Sequence, residues 1–207
     1  MFFDILLNAF FPPVCPVCAK RIEMPGALCA ECFSRLQFIH AHQPGKASAV
    51  VYDDTSKRLI LALKYGDKTE LAPLLARMMV NAGKEVLDGA DLLTCVPLHW
   101  KRLLARKYNQ AAVLAAAVSK ICAVPSDPRL LKRVKSTPKQ GTRRERFENV
   151  KDAFAFNPGR SVRGKTVVLI DDVVTTGATA DACARLLLKN GAAEVRLLTF
   201  GKAVGKN

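Results

Sequence analysis

No stretch of this 207-residue sequence approaches the roughly 20 consecutive apolar residues of a membrane-spanning helix, which excludes a transmembrane protein. The apolar opening, residues 1–11, is short, lacks a preceding basic stretch and carries Asp4, so a signal peptide is not expected. We expect these residues to form a short packed helix, with a membrane-surface anchor as the alternative. The sequence therefore predicts a cytoplasmic protein, with the inner face of the membrane as an alternative position.

Acidic residues are also scarce: 18 Asp and Glu stand against 32 Lys and Arg, a formal net charge of +14. The imbalance is concentrated between residues 99 and 151, where 14 basic and three acidic residues leave an excess of +11. Such a region is typical of binding to nucleic acid or to a pyrophosphate, and a solvated basic face is the ordinary alternative. Trp100, Tyr108 and Phe147 lie among these cations and either stack on single-stranded bases or anchor the core.

The sequence has no internal repeat except a doubled Cys-x-x-Cys motif, which accounts for four of the seven cysteines: Cys15, Cys18, Cys29 and Cys32. Two such knuckles can hold Zn²⁺ tetrahedrally, and four protein ligands leave no open position, so the predicted site is structural. Redox motifs and disulfides are the alternatives, and the odd cysteine count without a signal peptide indicates the reducing cytosol, where disulfides are rare. We predict a zinc ribbon domain at residues 1–44 and a second domain at residues 45–207, with a break at Pro44 and Gly45.

Predicted strands alternate with predicted helices after the ribbon. Short apolar runs predict the strands: residues 47–52, 92–96, 153–156, 167–170 and 194–200. Helical periodicity predicts the helices: residues 56–65, 69–81, 109–120, 143–151 and 180–190. Residues 125–141 are polar and contain several prolines, and we expect an exposed loop there. This order predicts an α/β protein with a mostly parallel sheet flanked by helices, whose ligands bind beyond the carboxyl ends of the strands.

The segment at residues 167–179, VVLIDDVVTTGAT, is the most informative part of the sequence. A strand buried on both faces runs into two carboxylates, Asp171 and Asp172, and then into a loop of small residues and a helix. Unpaired N–H groups at a helix N-terminus favour an anion, and Gly177 lets the backbone approach it. A phosphate at the loop and vicinal hydroxyls at the carboxylates are the features of a phosphorylated ribose. An ordinary strand-turn-helix with capping residues is the alternative.

The same segment resembles the signature of the type I phosphoribosyltransferases, which bind phosphoribosyl pyrophosphate. The resemblance implies that Asp171 and Asp172 contact the ribose hydroxyls, directly or through Mg²⁺, and that they are the candidate catalytic residues. It implies that the loop holds the 5′-phosphate through five residues: Thr175, Thr176, Gly177, Ala178 and Thr179. A carboxylate base found in the loop of some purine-salvage relatives is absent, and Thr175 stands there.

A second group of candidate ligand-binding residues follows the predicted strand 92–96. They are Leu98, His99, Lys101, Arg102 and Arg106, and we expect them to face the same crevice as the carboxylates. The basic residues would neutralise the pyrophosphate, whereas a solvated helix face is their alternative. His99 is either an acid–base group or a pyrophosphate donor. Lys64 reaches the crevice or interacts with the C-terminus of its own helix.

The order of motifs along the chain closely resembles that of the ComF-type competence proteins. These motifs are the four-cysteine ribbon, LKYGD, VPLHWKRLLARKYNQA, Arg146-x-x-Asn149, Ala153-Phe154 and the segment at residues 167–179. The resemblance implies a role in DNA uptake during natural transformation, with single-stranded DNA and DNA-uptake helicase or recombination proteins as partners. Lys107 stands where this family carries glycine, which puts the local backbone in question.

Three functions stay open at this point. The site could belong to an enzyme that transfers a phosphoribosyl group to an acceptor, with Mg²⁺ assisting the departure of pyrophosphate. It could belong to a binding module for a phosphoribosyl ligand or a DNA 5′-phosphate, with single-stranded DNA on the basic region. It could also sense phosphoribosyl pyrophosphate as a regulator. We favour a ComF-type DNA-uptake protein with a working phosphoribosyl site.

Overall fold

A computed structural model describes residues 12–65, 68–135 and 153–204. In chain order, the strands of this part are β1 (Lys46–Val51), β2 (Leu92–Cys95), β3 (Leu131–Arg133), β4 (Phe154–Phe156), β5 (Thr166–Val174) and β6 (Glu194–Lys202). Four of them form a parallel sheet in the order β1-β6-β5-β2. The other two, β3 and β4, pair antiparallel. The predicted α/β fold with a parallel sheet is therefore confirmed.

Helices of the described residues surround this sheet. They are α1 (Ala30–Ser34), α2 (Asp54–Tyr65), α3 (Ala72–Ala82), α4 (Lys84–Leu87), α5 (Trp100–Arg106), α6 (Gln110–Cys122) and α7 (Ala178–Lys189), with a 3-10 turn at Thr69–Leu71. None of the helices in the described part of the chain has the length and apolar character that a membrane crossing requires.

Strand β5 is buried on both faces because its apolar residues alternate between two cores. Val168 and Ile170 belong to the core that includes α2, α3 and α6. Val167 and Leu169 belong to a second core, formed with α7 and the β3–β4 pair. Helices therefore cover both faces of the sheet, and ligands can reach it at the carboxyl ends of its strands.

The register of the sheet fixes which residues meet at its carboxyl edge. Cys95 at the end of β2 lies opposite Ile170, so the loop that follows β2 emerges beside Asp171. Asp171 lies opposite Thr199 of β6, and pairing continues to Val174 and Lys202. Strand β5 therefore extends four residues past the predicted end at residue 170, and both carboxylates project from its last half.

Most predicted elements occur with boundaries shifted by one to four residues, but the exposed loop predicted at residues 125–141 is wrong in its first half. Ser126 pairs with Leu93, and Leu131–Arg133 forms β3 against β4. Leu130 is 1% exposed. These partners lie far away in the sequence, so local composition could not reveal them. The predicted helix at residues 143–151, with Arg146, Phe147 and Asn149, lies outside the described residues.

The cysteine ribbon packs directly on α2 and the turn that follows it. The Arg58 guanidinium donates a hydrogen bond to the Val17 carbonyl at 3.1 Å. Gly26 has φ +72°, and a Cβ there would lie 2.4 Å from the carbonyl oxygen of Glu70. The division of the chain after residue 44 stays a prediction, as does the helix at residues 1–11, which lie outside the described part.

Lys107 occupies the left-handed conformation that glycine favours, with φ 64°, at the end of α5. The backbone at this position therefore has a conformation that suits glycine, although the residue is lysine. A non-glycine residue in this conformation stores backbone strain.

Replacing Lys107 by glycine should therefore relieve the backbone strain, which alanine at the same position retains. We expect the free energy of unfolding of Lys107→Gly to exceed that of Lys107→Ala by roughly 0.5 to 1 kcal/mol, because both variants remove the side chain and only glycine relieves the strain. Urea unfolding of the two variants measures the difference. Equal stability of the alanine and glycine variants would contradict a strained backbone at this position.

Candidate functional site

Two cavities open at the carboxyl edge of the sheet. The first, which we call the carboxylate cavity, has a volume of about 180 Å³. It brings together seven of the predicted site residues: Lys64, Leu98, Arg102, Arg106, Asp171, Asp172 and Thr179. The second, the loop cavity, has a volume of about 310 Å³ and contains Thr175, Thr176 and Gly177. Its opposite wall is the segment from Ile39 to Ser48 that leads out of the ribbon.

The two carboxylates of the carboxylate cavity are in different environments. Asp171 is partly buried and accepts a hydrogen bond from the Asp172 N–H at 2.9 Å. Asp172 forms an ion pair with Lys64, whose Nζ lies 2.5 Å from Oδ2, and both side chains are less than one-fifth exposed. Desolvation, followed by repulsion from Asp172, raises the pKa of the Asp171 carboxyl to about 8. Asp171 is therefore predominantly protonated at neutral pH.

Three arginines line the same cavity and oppose the carboxylates. Arg102 and Arg106 come from α5, and Arg133 comes from β3. Arg106 donates to Gln110 Oε1 at 3.0 Å and to the Tyr65 hydroxyl at 2.9 Å. Burial, followed by repulsion from Arg102, lowers the pKa of Arg133 from its usual value, which still leaves its guanidinium charged at neutral pH. The cavity therefore has an excess of positive charge and suits a polyanion.

His99 and Lys101 lie beside the cavity and not in its wall. His99 is 6% exposed, and its Nδ1 accepts the Lys101 N–H at 3.4 Å, which caps the N-terminus of α5. The Lys101 ammonium lies over the Trp100 ring, 5.6 Å from its centroid. The observed contact of the His99 side chain is thus structural, and the predicted ligand contacts of both residues stay predictions.

The loop between β5 and α7 leads into the N-terminus of a helix that has no side-chain cap. Gly177 is the N-cap residue of α7 and has φ 80°. A glycine has no side chain that could cap the helix. The first N–H groups of α7 therefore remain available at its positive end. Ala178 is 4% exposed, and its small side chain fits against the core. Lys46 and Asp181 form an ion pair of 3.6 Å beside the loop.

The four ribbon cysteines converge on one point. The sulfur atoms of Cys15, Cys18, Cys29 and Cys32 all lie within 4.8 Å of one another. Cys18 Sγ and Cys29 Sγ are 3.6 Å apart, close to the roughly 3.8 Å that Zn–S bonds of 2.3 Å give in a tetrahedron. This donor set fits Zn²⁺ in a structural site, which would stabilise a segment that has few buried apolar side chains of its own.

Comparison with known proteins agrees with both parts of this description. Residues 109–203 match the model of the phosphoribosyl transferase domain, and residues 6–45 match that of the double zinc ribbon domain. DNA utilization protein YhgH of Escherichia coli K12 is 31% identical over 203 residues, which cover 89% of this chain and 88% of that protein. The chain belongs to the ComF-type family.

Two competence proteins are also similar to this ComF-type chain over most of its length. Competence protein F of Haemophilus influenzae is 28% identical over 208 residues, covering 92% of this chain and 90% of that protein. Competence protein ComFC of Bacillus subtilis is 28% identical over 184 residues, covering 87% of this chain and 73% of that protein.

The sequence did not predict three polar side chains that line the carboxylate cavity: Asn109, Gln110 and Arg133. Asn109 caps α6 by accepting the Ala111 N–H at 3.1 Å, and its amide donates to the Val96 carbonyl at 3.0 Å. An asparagine before an alanine-rich helix is a recognisable capping signal. Arg133 had no such signal, because it reaches the cavity only through the pairing of β3 with β4.

The pKa of Asp171 predicts a pH-dependent stability for this ComF-type protein. Because the folded state holds the proton of Asp171 up to about pH 8 and the unfolded chain releases it near pH 4, the free energy of unfolding falls as pH rises through this window. Asp171→Asn removes this titration. We therefore expect the free energy of unfolding of the variant, relative to that of the wild type, to increase by up to about 1.4 kcal/mol per pH unit between pH 5 and 8.

Thermal unfolding of both proteins at pH 5, 6, 7 and 8, without Mg²⁺ or phosphate ligands, measures this difference. In the Asp172→Asn background the window should move to lower pH, because the repelling carboxylate is gone. A difference between wild type and Asp171→Asn that stays constant over this range would contradict the raised pKa.

Proposed function

We propose that this ComF-type protein binds phosphoribosyl pyrophosphate with Mg²⁺ at the carboxylate cavity and its adjoining loop, and single-stranded DNA on the basic surface beside it. Its role would be in DNA uptake during natural transformation. The observation that carries the proposal is the meeting of a carboxylate pair with four cations in one small cavity, next to the loop that leads into the N-terminus of α7.

The ribose would lie against Asp171 and Asp172. A carboxylate accepts hydrogen bonds from vicinal hydroxyls, and a protonated carboxyl can also donate one. When bound, Mg²⁺ would neutralise part of the negative charge of the diphosphate. Asp172 would hold this ion, and Asp171 would join it on losing its proton, because Mg²⁺ prefers oxygen ligands and is usually held by one or two carboxylates together with substrate phosphates. Lys64 would then leave Asp172 or share it with the ligand.

The diphosphate would be held by the cations that remain. With Asp171 protonated and Asp172 ionised, Lys64, Arg102, Arg106 and Arg133 give the cavity an excess of three positive charges. Guanidinium groups bind phosphate oxygens through paired hydrogen bonds, which adds direction to the charge attraction. The 5′-phosphate would lie at the loop, against the hydroxyls of Thr175 and Thr176 and the N-terminus of α7.

Calorimetric titration with phosphoribosyl pyrophosphate and Mg²⁺ tests the ligand. We expect binding by the zinc-loaded wild type, and loss of at least 100-fold in affinity for the variant Asp171→Asn/Asp172→Asn, because the ribose and metal contacts go together (about 3 kcal/mol). Asp88→Asn is the matched control, since this exposed carboxylate lies at the opposite edge of the sheet and should leave binding unchanged. Wild-type protein that binds no phosphoribosyl pyrophosphate would refute the proposal.

Single-stranded DNA binding is supported by the surface of α5, which forms one side of the cavity. None of the seven residues of this helix is buried, and Trp100 is 57% exposed. Between residues 99 and 135 the described chain has nine basic residues and one acidic residue, Asp127. Exposed aromatic rings among cations stack with bases while the cations bind phosphates. This surface therefore suits a single strand that passes the mouth of the site.

Trp100 is the one tryptophan of the sequence, so its fluorescence reports directly on stacking. We expect an oligo-dT strand to quench this fluorescence and Trp100→Ala to lower DNA affinity about tenfold, since stacking on one base contributes about 1–3 kcal/mol. Trp100→Phe keeps a ring and should retain most of the affinity. DNA affinity should also fall steeply with salt. Unchanged affinity in Trp100→Ala would remove α5 from the DNA path.

A further inference from the structure

The last turn of α2 contacts the site through three consecutive residues. The Leu63 carbonyl accepts a short hydrogen bond from the Tyr108 hydroxyl. Lys64 pairs with Asp172, and the Tyr65 hydroxyl accepts a hydrogen bond from Arg106. Two of these contacts therefore hold the segment that follows β2, and the third holds Asp172 of the carboxylate pair.

We propose that this turn makes the site bind phosphoribosyl pyrophosphate, which carries a diphosphate, more tightly than ribose 5-phosphate, which does not. Tyr65 and Gln110 are the residues that position Arg106 for this purpose. The inference rests on the proposed function, because it concerns the diphosphate of the same ligand. It assigns no catalytic role to Tyr65, whose hydroxyl acts through the arginine.

Arg106 is held from two sides. Its two terminal nitrogens donate to the Gln110 amide oxygen and to the Tyr65 hydroxyl, at 3.0 Å and 2.9 Å. The guanidinium carbon lies 4.9 Å from the centre of the Tyr65 ring. A long side chain that is fixed in this way loses less conformational entropy when it binds an anion.

The supports of Arg106 are themselves fixed. Gln110 is 1% exposed and donates from its amide nitrogen to the Tyr108 carbonyl at 3.3 Å, which orients its oxygen toward the arginine. Tyr108 is tied in turn to α2 through Leu63. Tyr65 is 65% exposed, so a variant there need not disturb the core.

The position of Arg106 assigns it to one end of the ligand. It lines the carboxylate cavity, whereas the loop residues Thr175, Thr176 and Gly177 line the loop cavity. The diphosphate and the 5′-phosphate of phosphoribosyl pyrophosphate lie at opposite ends of the ribose. If the 5′-phosphate lies at the loop, Arg106 serves the diphosphate and is not needed for ribose 5-phosphate.

The test compares the affinities of wild type and Tyr65→Phe for phosphoribosyl pyrophosphate and for ribose 5-phosphate. We expect the loss of one hydroxyl acceptor to weaken phosphoribosyl pyrophosphate binding about three- to tenfold and to leave ribose 5-phosphate binding unchanged. In an Arg106→Ala background, Tyr65→Phe should have no further effect, because its partner is gone. Tyr52→Phe also removes a tyrosine hydroxyl, but one that does not hold Arg106, and serves as the control.

Equal weakening of both ligands, or an undiminished effect of Tyr65→Phe in the Arg106→Ala background, would overturn the inference and indicate a general structural role. Unchanged phosphoribosyl pyrophosphate affinity in Tyr65→Phe would also overturn it, while the proposed function would stand if Asp171→Asn/Asp172→Asn still abolished binding. Failure of the wild type itself to bind would refute the proposed function first.

Discussion

Two adjacent carboxylates at the end of a buried strand are the constraint around which this site is arranged. Asp171 and Asp172 lie in the last half of β5, where folding removes water from both side chains, and two negative charges in that position repel each other. Two features of the site reduce this repulsion. Asp171 keeps its proton, and Lys64 neutralises Asp172 at 2.5 Å. The arginines that face them then provide an excess of positive charge for an anionic ligand.

The supports of this pair come from distant parts of the chain and meet because of the sheet register. Pairing of β2 with β5 brings Arg102 and Arg106 to the carboxylates, and α2 delivers Lys64. The segment that leaves the zinc ribbon forms a wall of the loop cavity, opposite Thr175 to Gly177. The cysteines do not line the carboxylate cavity, but the segment that follows their ribbon borders the loop that precedes α7.

The sequence predicted well whatever is encoded locally. The apolar run before Asp171, the small-residue loop and the paired cysteines each contain their own signal, and the structure has all three in the expected form. It predicted poorly what depends on distant pairing. Strand β3 needs β4 as its partner, so Arg133 was missed, and α5 has no buried residue to give a helical pattern. The capping contact of His99 was not predicted either, because it exists only once α5 forms, and the predicted ligand contact of this residue stays a prediction.

A crystal structure of the zinc-loaded protein with Mg²⁺ and phosphoribosyl pyrophosphate tests the central claim most directly. We expect the ribose hydroxyls at Asp171 and Asp172, the 5′-phosphate at residues 175–179, and the diphosphate beside Arg102 and Arg106. A ligand bound elsewhere, or a carboxylate cavity in which Lys64 still pairs with Asp172 and no sugar lies beside them at saturating concentration, would contradict it.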